Sequence, residues 1–128
     1  MAANSARSGG EKGQAVLEFA LIIPILLLFL FGVIEFGRVF SAQLTVNAAA
    51  REGARYGIIG DRTASQIEAR VKKFAANLSA SQLVVDVSKG TEFVHVSVRY
   101  PVAIILPPVR GILPDTVEVR GAATMRRE

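Results

Sequence analysis

Cysteine is absent from this sequence of 128 residues, and histidine occurs only once, as His95. Without thiols, the chain can form neither a disulfide framework nor a thiolate zinc site, and it has no cysteine nucleophile. A single imidazole excludes metal sites built from paired histidines. A Ser-His-acid set and a glycine-rich phosphate loop are also missing, and the acids Asp86, Glu92 and Glu118 show no paired spacing that would support a carboxylate pair. The sequence therefore predicts no enzyme, no cofactor and no metal site.

The excess of one sign of charge is small, with 15 basic against 11 acidic residues and a formal charge of +4. The first 34 residues carry two charges of each sign, so the whole excess lies after Ile34. The basic residues are dispersed, and we predict no nucleic-acid partner. Apolar residues, by contrast, make up 51% of the chain. That share excludes a disordered tail and is high for a soluble domain of this size, which indicates a membrane segment.

The long uncharged run of the sequence extends from Phe19 to Ile34 and is bracketed by Glu18 and Glu35. Together with the three apolar residues before Glu18, it forms a stretch of 20 residues. A helix rises about 1.5 Å per residue, so this stretch spans about 30 Å, the thickness of the hydrocarbon core of a bilayer. We predict a transmembrane helix over residues 14–35.

A cleaved signal peptide and a buried core helix are the two alternatives for this run. A signal peptidase site needs small residues soon after the apolar stretch, but the first such triplet, at residues 48–50, lies about four helical turns farther on. The rest of the chain is too small to surround a core helix on all sides. A retained single span is therefore the favoured interpretation.

The segment before the span, residues 1–13, is polar and glycine-rich, and we predict a flexible leader. The numbers of Lys and Arg on the two sides of the span do not favour a cytoplasmic N-terminus. We nevertheless predict this orientation, because a leader of this length cannot be a folded module, whereas the C-terminal part can. Longer domains are also translocated with less regard to charge.

Residues 36–57 lack proline and have the spacing of an amphipathic helix, so we expect the membrane helix to continue unbroken into water. The polar side includes Arg38, Glu52 and Arg55. The predicted apolar seam consists of Val39, Ala42, Val46, Ala49, Gly53 and Tyr56.

Three small residues on this extension, Ala49, Gly53 and Gly57, are spaced four apart and would allow a close approach of another backbone. That approach is made either by the chain's own sheet or by another subunit, and the sequence leaves both open.

Residues 58–128 predict a small α+β domain. A second helix is expected over residues 63–79, with a capping box between Thr63 and Gln66. Three strands with alternating apolar residues follow, which is typical of an antiparallel sheet covered on one side. His95 lies on the face opposite to the valines and is interpreted as solvated. The helical face is predicted to consist of Ile67, Val71, Phe74 and Leu78.

A proline-rich segment over residues 101–114 separates the second and third strands. Its four prolines exclude a central strand. Its many aliphatic residues indicate packing on the domain, on the membrane surface or on a partner, and the sequence does not choose among these. The predicted fold is thus a long N-terminal helix, half transmembrane and half amphipathic, packed on a small antiparallel sheet with a second helix.

The region from residue 13 to 57 resembles the N-terminal part of TadE/TadG-like proteins. The motifs that carry the resemblance are VLEFAL at residues 16–21, IEFGR at residues 34–38 and AAREGARY at residues 49–56. The resemblance implies a minor pilin-like component (pseudopilin) of the tight-adherence (Flp, type IVc) pilus machinery, linked to adhesion, biofilm and secretion. Such a protein is not catalytic. It would be a single-pass protein of the inner (cytoplasmic) membrane with its C-terminal domain periplasmic or extracellular.

The resemblance also implies partners and interface residues. The partners would be membrane lipid, other pilin-like subunits, the inner-membrane assembly platform and a prepilin peptidase. The candidate residues for helix packing or a subunit interface are Glu35, Gly37, Arg38, Ala49, Gly53, Tyr56 and Gly57.

Cleavage by a prepilin peptidase is expected between Gly13 and Gln14, because Glu18 then stands at the fifth position of the product. Phe19 follows this glutamate where pilins of this branch commonly have tyrosine. A carboxylate near the bilayer needs a partner, and the new amine of Gln14, from the same or a neighbouring chain, would supply it. Alternatively, Glu18 lies at the level of the lipid headgroups.

Two further functions compete with the pilus component. One is a membrane-tethered, extracytoplasmic module that binds a ligand through the proline-rich segment. The other is an anchored enzyme, which the missing catalytic sets disfavour.

Overall fold

The structure is a computed structural model that describes residues 2–106 and 111–128. The elements follow in the order α1 (Ala2–Ile58), α2 (Ala64–Phe74), β1 (Val84–Lys89), β2 (Phe93–Ala103) and β3 (Thr116–Arg126). The α+β arrangement that the sequence predicts, with one long helix, a second helix and a three-stranded antiparallel sheet, is confirmed.

Helix α1 begins at Ala2, so it includes residues for which the sequence pattern predicts no regular structure. Once a helix is nucleated, each further residue adds a hydrogen bond at little cost, and a long apolar helix can therefore extend through a weakly helical segment. The domain boundaries and the mobility of the leader stay predictions.

Helix α2 begins with the predicted capping box. The backbone N–H of Gln66 donates to Thr63 Oγ1 at 3.3 Å, and the N–H of Thr63 donates to Gln66 Oε1 at 3.0 Å. The helix ends at Phe74, whose side chain is exposed, so its prediction as a core residue is wrong. The buried positions are instead four residues apart, and Ala75 takes the place expected for Phe74: the buried row is Ile67, Val71 and Ala75.

The sheet has the order β1-β2-β3, and both strand pairs are antiparallel. Alternate residues of β2 and β3 face the core, as the period-two pattern predicts. His95 lies on the other, exposed face, where its Nδ1 is 2.6 Å from Thr124 Oγ1 across the strand pair. The fully buried valines of β2 are Val94, Val96 and Val98.

The outer half of α1, residues 36–58, covers the apolar face of the sheet at very short range. A methyl group at Gly53 would overlap Val71 Cγ2 of α2, and one at Gly57 would lie 2.8 Å from Ile67 Cδ1. On the strand side, a methyl group at Gly121 would lie 2.7 Å from the backbone of Val46. The small residues therefore bring α1 into backbone contact with β3 and close to α2.

Strand β2 is longer than the sequence predicts, since it continues through Pro101 to Ala103. Strand β1 begins at Val84, opposite Arg99, so the end of β2 pairs with β3 alone. Proline is tolerated there because a strand with a neighbour on one side can spare an N–H donor on the other. The connecting loop thus begins at Ile104, and residues 107–110 of the proline-rich segment lie outside the described residues.

Candidate functional site

The apolar half of α1 has no cover within the chain. The described residues contain one helix that is long and apolar enough to cross a membrane, and its most apolar stretch has a mean hydropathy of 2.8 with none of it buried. This exposure is incompatible with a core helix. A lipid bilayer is the natural cover for such a surface, and the helix indicates a single-pass membrane protein. Its outward-facing side chains include Phe19, Ile25 and Phe29.

The predicted processing residues lie on α1 at the start of this apolar half. Gly13, Gln14, Glu18 and Phe19 are all exposed, and no heavy atom lies within 4 Å of the position that a methyl group at Gly13 would take. Gln14 and Glu18 are four residues apart and therefore share one face of the helix. An amine created at Gln14 would thus lie on the same side as the carboxylate, so a pair within one chain is geometrically available.

At the opposite end of the apolar run, Glu35 is fixed by three hydrogen bonds. Its Oε2 accepts a hydrogen bond from Arg38 Nη1 at 2.7 Å, and its Oε1 accepts from the backbone N–H groups of Ile105 at 2.9 Å and Leu106 at 2.8 Å. Arg38 Nη1 also donates to the carbonyl of Ala103 at 3.2 Å. We name this arrangement the Glu35 clamp.

The Glu35 clamp explains how a carboxylate with only 3% exposure is tolerated. A buried charge is costly unless it is paired and hydrogen-bonded, and here both oxygens have donors. The sequence singles out Glu35 and Arg38 but gives no sign of the other partners. The two amides come from a loop 70 residues away, and a backbone N–H has no residue type that could reveal it.

Gly37, one residue from Arg38, is exposed and has open space around the position of a methyl group. It lines a groove of about 470 Å³ between α1 and the end of β2, together with Arg38, Ser41, Asn77 and Tyr100. Of the predicted interface residues, Gly37 thus faces outward, whereas Glu35 turns toward the chain's own loop.

The small-residue stripe lies against the chain itself. Ala49, Gly53 and Gly57 are buried, and the two glycines contact side chains of α2 and β2. Of the two possibilities that the sequence left open, the structure therefore places the chain's own fold on this stripe, which leaves it no free face for another subunit.

Glu52 and Tyr56 lie where α1 meets α2. Glu52 Oε1 accepts from Arg70 at 3.0 Å and its Oε2 from Arg55 at 3.0 Å. The hydrogen bond from Arg70, and then that from Arg55, hold the pKa of Glu52 below its usual value although burial acts in the opposite direction. Arg62 donates to the Tyr56 hydroxyl at 2.9 Å and lies 4.4 Å from the ring centre, a cation–π distance. The sequence pattern placed Glu52 on the outer polar side, and it missed this link to α2.

A second surface that the sequence analysis missed lies on α1 beyond the apolar run. Phe36, Phe40 and Leu44 are more than half exposed and follow one another four residues apart, and the two phenylalanine rings stack with their centres 6.0 Å apart. We name these three residues the outer stripe. The four-residue spacing of the outer stripe is visible in the sequence. The buried seam on the other side of the helix already explains the amphipathic pattern, so the sequence alone does not single out the outer stripe.

No group of three or more metal-binding side chains occurs in the part of the chain that the structure describes. The polar groups of the Glu35 clamp have hydrogen-bond partners within the clamp, and Glu52 is paired with Arg55 and Arg70. Within the described residues, no buried side-chain nitrogen or oxygen lacks a partner. These clusters are thus arranged to join elements of the fold.

Comparison with known proteins places this geometry in a family context. Residues 13–55 match the family described as TadE-like protein, which confirms the predicted resemblance for about a third of the chain. The match covers the predicted processing residues, the apolar run, the Glu35–Arg38 pair and most of the small-residue stripe. It implies involvement in the tight-adherence pilus system, in a family not known as enzymatic. No curated protein and no solved structure matches the chain.

Proposed function

We propose, from the TadE-like segment over residues 13–55, that this chain is a minor pilin-like (pseudopilin) membrane protein that takes part in assembly or priming of a tight-adherence pilus. One observation carries the proposal: α1 is a single helix with an exposed apolar half and a second half that packs into the core of the folded domain over residues 58–128. We call this domain the head. Such a helix can exchange lipid for the helices of neighbouring subunits without any change in the head.

In this proposal the N-terminus is cytoplasmic, and the head lies in the periplasm or outside the cell. A prepilin peptidase removes residues 1–13, after which the amine of Gln14 pairs with Glu18. The shared helical face of these two residues supports the pairing. The other partners are pilin-like subunits and the inner-membrane assembly platform.

The outer stripe is the surface through which the helix meets its neighbours above the membrane. Its side chains face water in the isolated chain, and covering each of these half-exposed groups is worth roughly 1 kcal/mol. The stripe follows the apolar run along α1, so a neighbouring helix that packs along the span reaches it without a bend. The small-residue stripe is already occupied by the head, which leaves the outer stripe as the apolar face of this half of α1.

The experiment compares two substitutions of equally exposed residues in cells that carry the pilus system and lack the chromosomal copy of this gene. Leu44 in the outer stripe and Ile59 after the end of α1 are both 55% exposed. We expect Leu44→Lys to abolish or strongly reduce surface pili, counted by electron microscopy, and Ile59→Lys to restore them. Immunoblots of membrane fractions verify equal amounts of the two variants. Normal piliation with both variants would refute the role of the outer stripe, and normal piliation without the gene would refute the function.

No observation on the described residues favours the tethered ligand-binding module as a second function. The groove beside Gly37 is open, and the beginning of the loop that was to bind the ligand is held by the Glu35 clamp.

A further inference from the structure

We propose that the two described ends of the loop between β2 and β3 form a second membrane contact, in which their apolar side chains enter the lipid interface beside the transmembrane helix. These side chains, the loop anchor, are Ile105, Ile112 and Leu113. The sequence leaves the domain, a partner and the membrane surface as possible sites for this segment, and the structure supplies the reasons to choose the membrane.

The first reason is depth. Helix α1 and strand β2 run in opposite directions, since Gly57 packs beside Val94 at the start of the strand and Arg38 bonds to Ala103 at its end. Strand β2 therefore points toward the membrane and delivers the loop to the level of Glu35. Glu35 directly follows the last residue of the uncharged run, so the Glu35 clamp fastens the loop where the lipid-exposed part of α1 ends.

The second reason is the surface that the loop presents at this depth. Ile105 is 60% exposed, Ile112 is 77% exposed and Leu113 is 46% exposed. The described residues of the loop before Asp115, 104–106 and 111–114, carry no charge. Large exposed apolar side chains are costly in water and favourable at the boundary of headgroups and acyl chains.

The third reason is that several backbone N–H groups of the loop already have hydrogen-bond acceptors within the protein. The N–H groups of Ile105 and Leu106 donate to Glu35, and the N–H of Ile104 donates to the carbonyl of Asp115 at 3.0 Å. Backbone donors that enter a lipid environment must be satisfied by the protein, because water is scarce there.

We infer that lipid, and not a protein partner, covers the loop anchor, because the loop anchor extends the apolar surface of the transmembrane helix. The apolar run of α1 is largely exposed up to Ile34, and the clamp places Ile105 next to its end. The hydrogen bond from Ile104 to Asp115 keeps the other end of the loop close to the first. A second attachment point has a mechanical consequence. A single helix leaves the head free to tilt relative to the bilayer, whereas a second contact on one side of the helix restricts this tilt.

The absence of cysteine makes a direct test possible, since a single introduced cysteine is a unique labelling site. Full-length Ile112→Cys and Leu113→Cys variants would be labelled with an environment-sensitive fluorophore and reconstituted into phosphatidylcholine–phosphatidylglycerol vesicles. Some of the vesicles would carry a spin label high on the acyl chain. Phe93→Cys is the matched control, because Phe93 is 48% exposed and begins β2 at the end far from the membrane.

We expect the labels at positions 112 and 113 to emit at shorter wavelength than the label at position 93 and to lose most of their fluorescence in spin-labelled vesicles. Emission and quenching equal to those of the Phe93→Cys control would overturn the proposal. A blue-shifted label that lipid spin labels do not quench would also overturn it, because the loop would then be covered by protein. The use of two positions protects the test against a single variant that fails to fold.

Discussion

Glycine 53 shows how one residue sets the distance between two helices and a sheet. Its missing side chain leaves room for Val71 from α2 and Val96 from β2, which meet over the backbone of α1. Gly37 lies on the same helix but has no heavy atom within 4 Å of the place where a methyl group would be. The two positions separate the packing role of glycine from its conformational cost, which is roughly 0.5–1 kcal/mol relative to alanine in a helix.

This contrast predicts opposite effects of the same substitution. Gly53→Ala should lower the free energy of unfolding of the head by about 1–3 kcal/mol, because the methyl group overpacks a tight contact. Gly37→Ala should leave it unchanged or raise it by up to about 1 kcal/mol through better helix propensity. Thermal unfolding of the detergent-solubilised full chain, followed by circular dichroism, measures both. Equal stability of the two variants would mean that α1 does not approach α2 as closely as described.

At the scale of the elements, two glutamates hold α1 to its neighbours at both ends of its outer half, one through backbone hydrogen bonds and one through an ion pair. The Glu35 clamp ties it to the loop after β2, and Glu52 ties it to α2 through Arg70. Neither link follows from sequence spacing, since the partners are 18 or more residues apart. The capping box of α2, whose members are three residues apart, did follow from the sequence. The number of residues that separate two partners in the sequence thus decides whether their contact can be predicted.

The Glu52 link should make the stability of the head depend on pH. Its pKa is lowered in the folded chain from an unperturbed value of 4.5, so the stabilising effect is present above about pH 4.5 and is lost as the pH falls through the folded pKa. Because the side chains of Arg70 and Arg55 are 41% and 62% exposed, the effect at neutral pH should be about 1 kcal/mol or less.

The test is the difference in melting temperature between the natural chain and Glu52→Gln. We expect the variant to melt lower at pH 7 and the difference to shrink below pH 4.5. Glu68→Gln is a suitable control, because the ion pair of Glu68 is with Lys72 within α2. A constant difference over the whole pH range would show that the carboxylate charge does not stabilise the fold.

At the scale of the whole molecule, one helix has two environments: its first part presents an apolar surface to lipid, and its second part packs against the head. Helix α1 has 57 residues and a length of about 85 Å, of which one part is exposed and apolar and another part enters the core. The head alone has about 70 residues and no disulfides, a size at which a single core is marginal. The outer half of α1 therefore completes it, and its contribution to the core consists of Ala42, Val46, Ala49, Ala50 and Ala54.

The proposed pilin-like role predicts a change in the mass of the whole chain. Protein extracted from membranes of cells with a prepilin peptidase should lack residues 1–13 and begin at Gln14, as measured by intact mass spectrometry. Cells without the peptidase provide the control and should yield the full chain. An intact N-terminus in both would contradict processing, and loss of about 40 residues or more would instead indicate a secreted protein.

The sequence by itself determined the features that depend on neighbours within a few positions. These are the apolar run and its length, the period of the buried seam, the capping box at Thr63 and the alternation of the strands. Each rests on spacing along one element, and the motifs of the TadE-like segment are local in the same sense.

The tertiary structure decided what those faces meet. It placed α2 and the sheet on the small-residue stripe and exposed Phe74 because the helix ends there. It let β2 run through Pro101, because β1 begins opposite Arg99 and does not reach the end of β2. It also brought the amides of Ile105 and Leu106 to Glu35. The physical reason is that a backbone N–H, a strand edge and a gap left by glycine carry no signature in residue type, so only the folded chain shows which partner fills them.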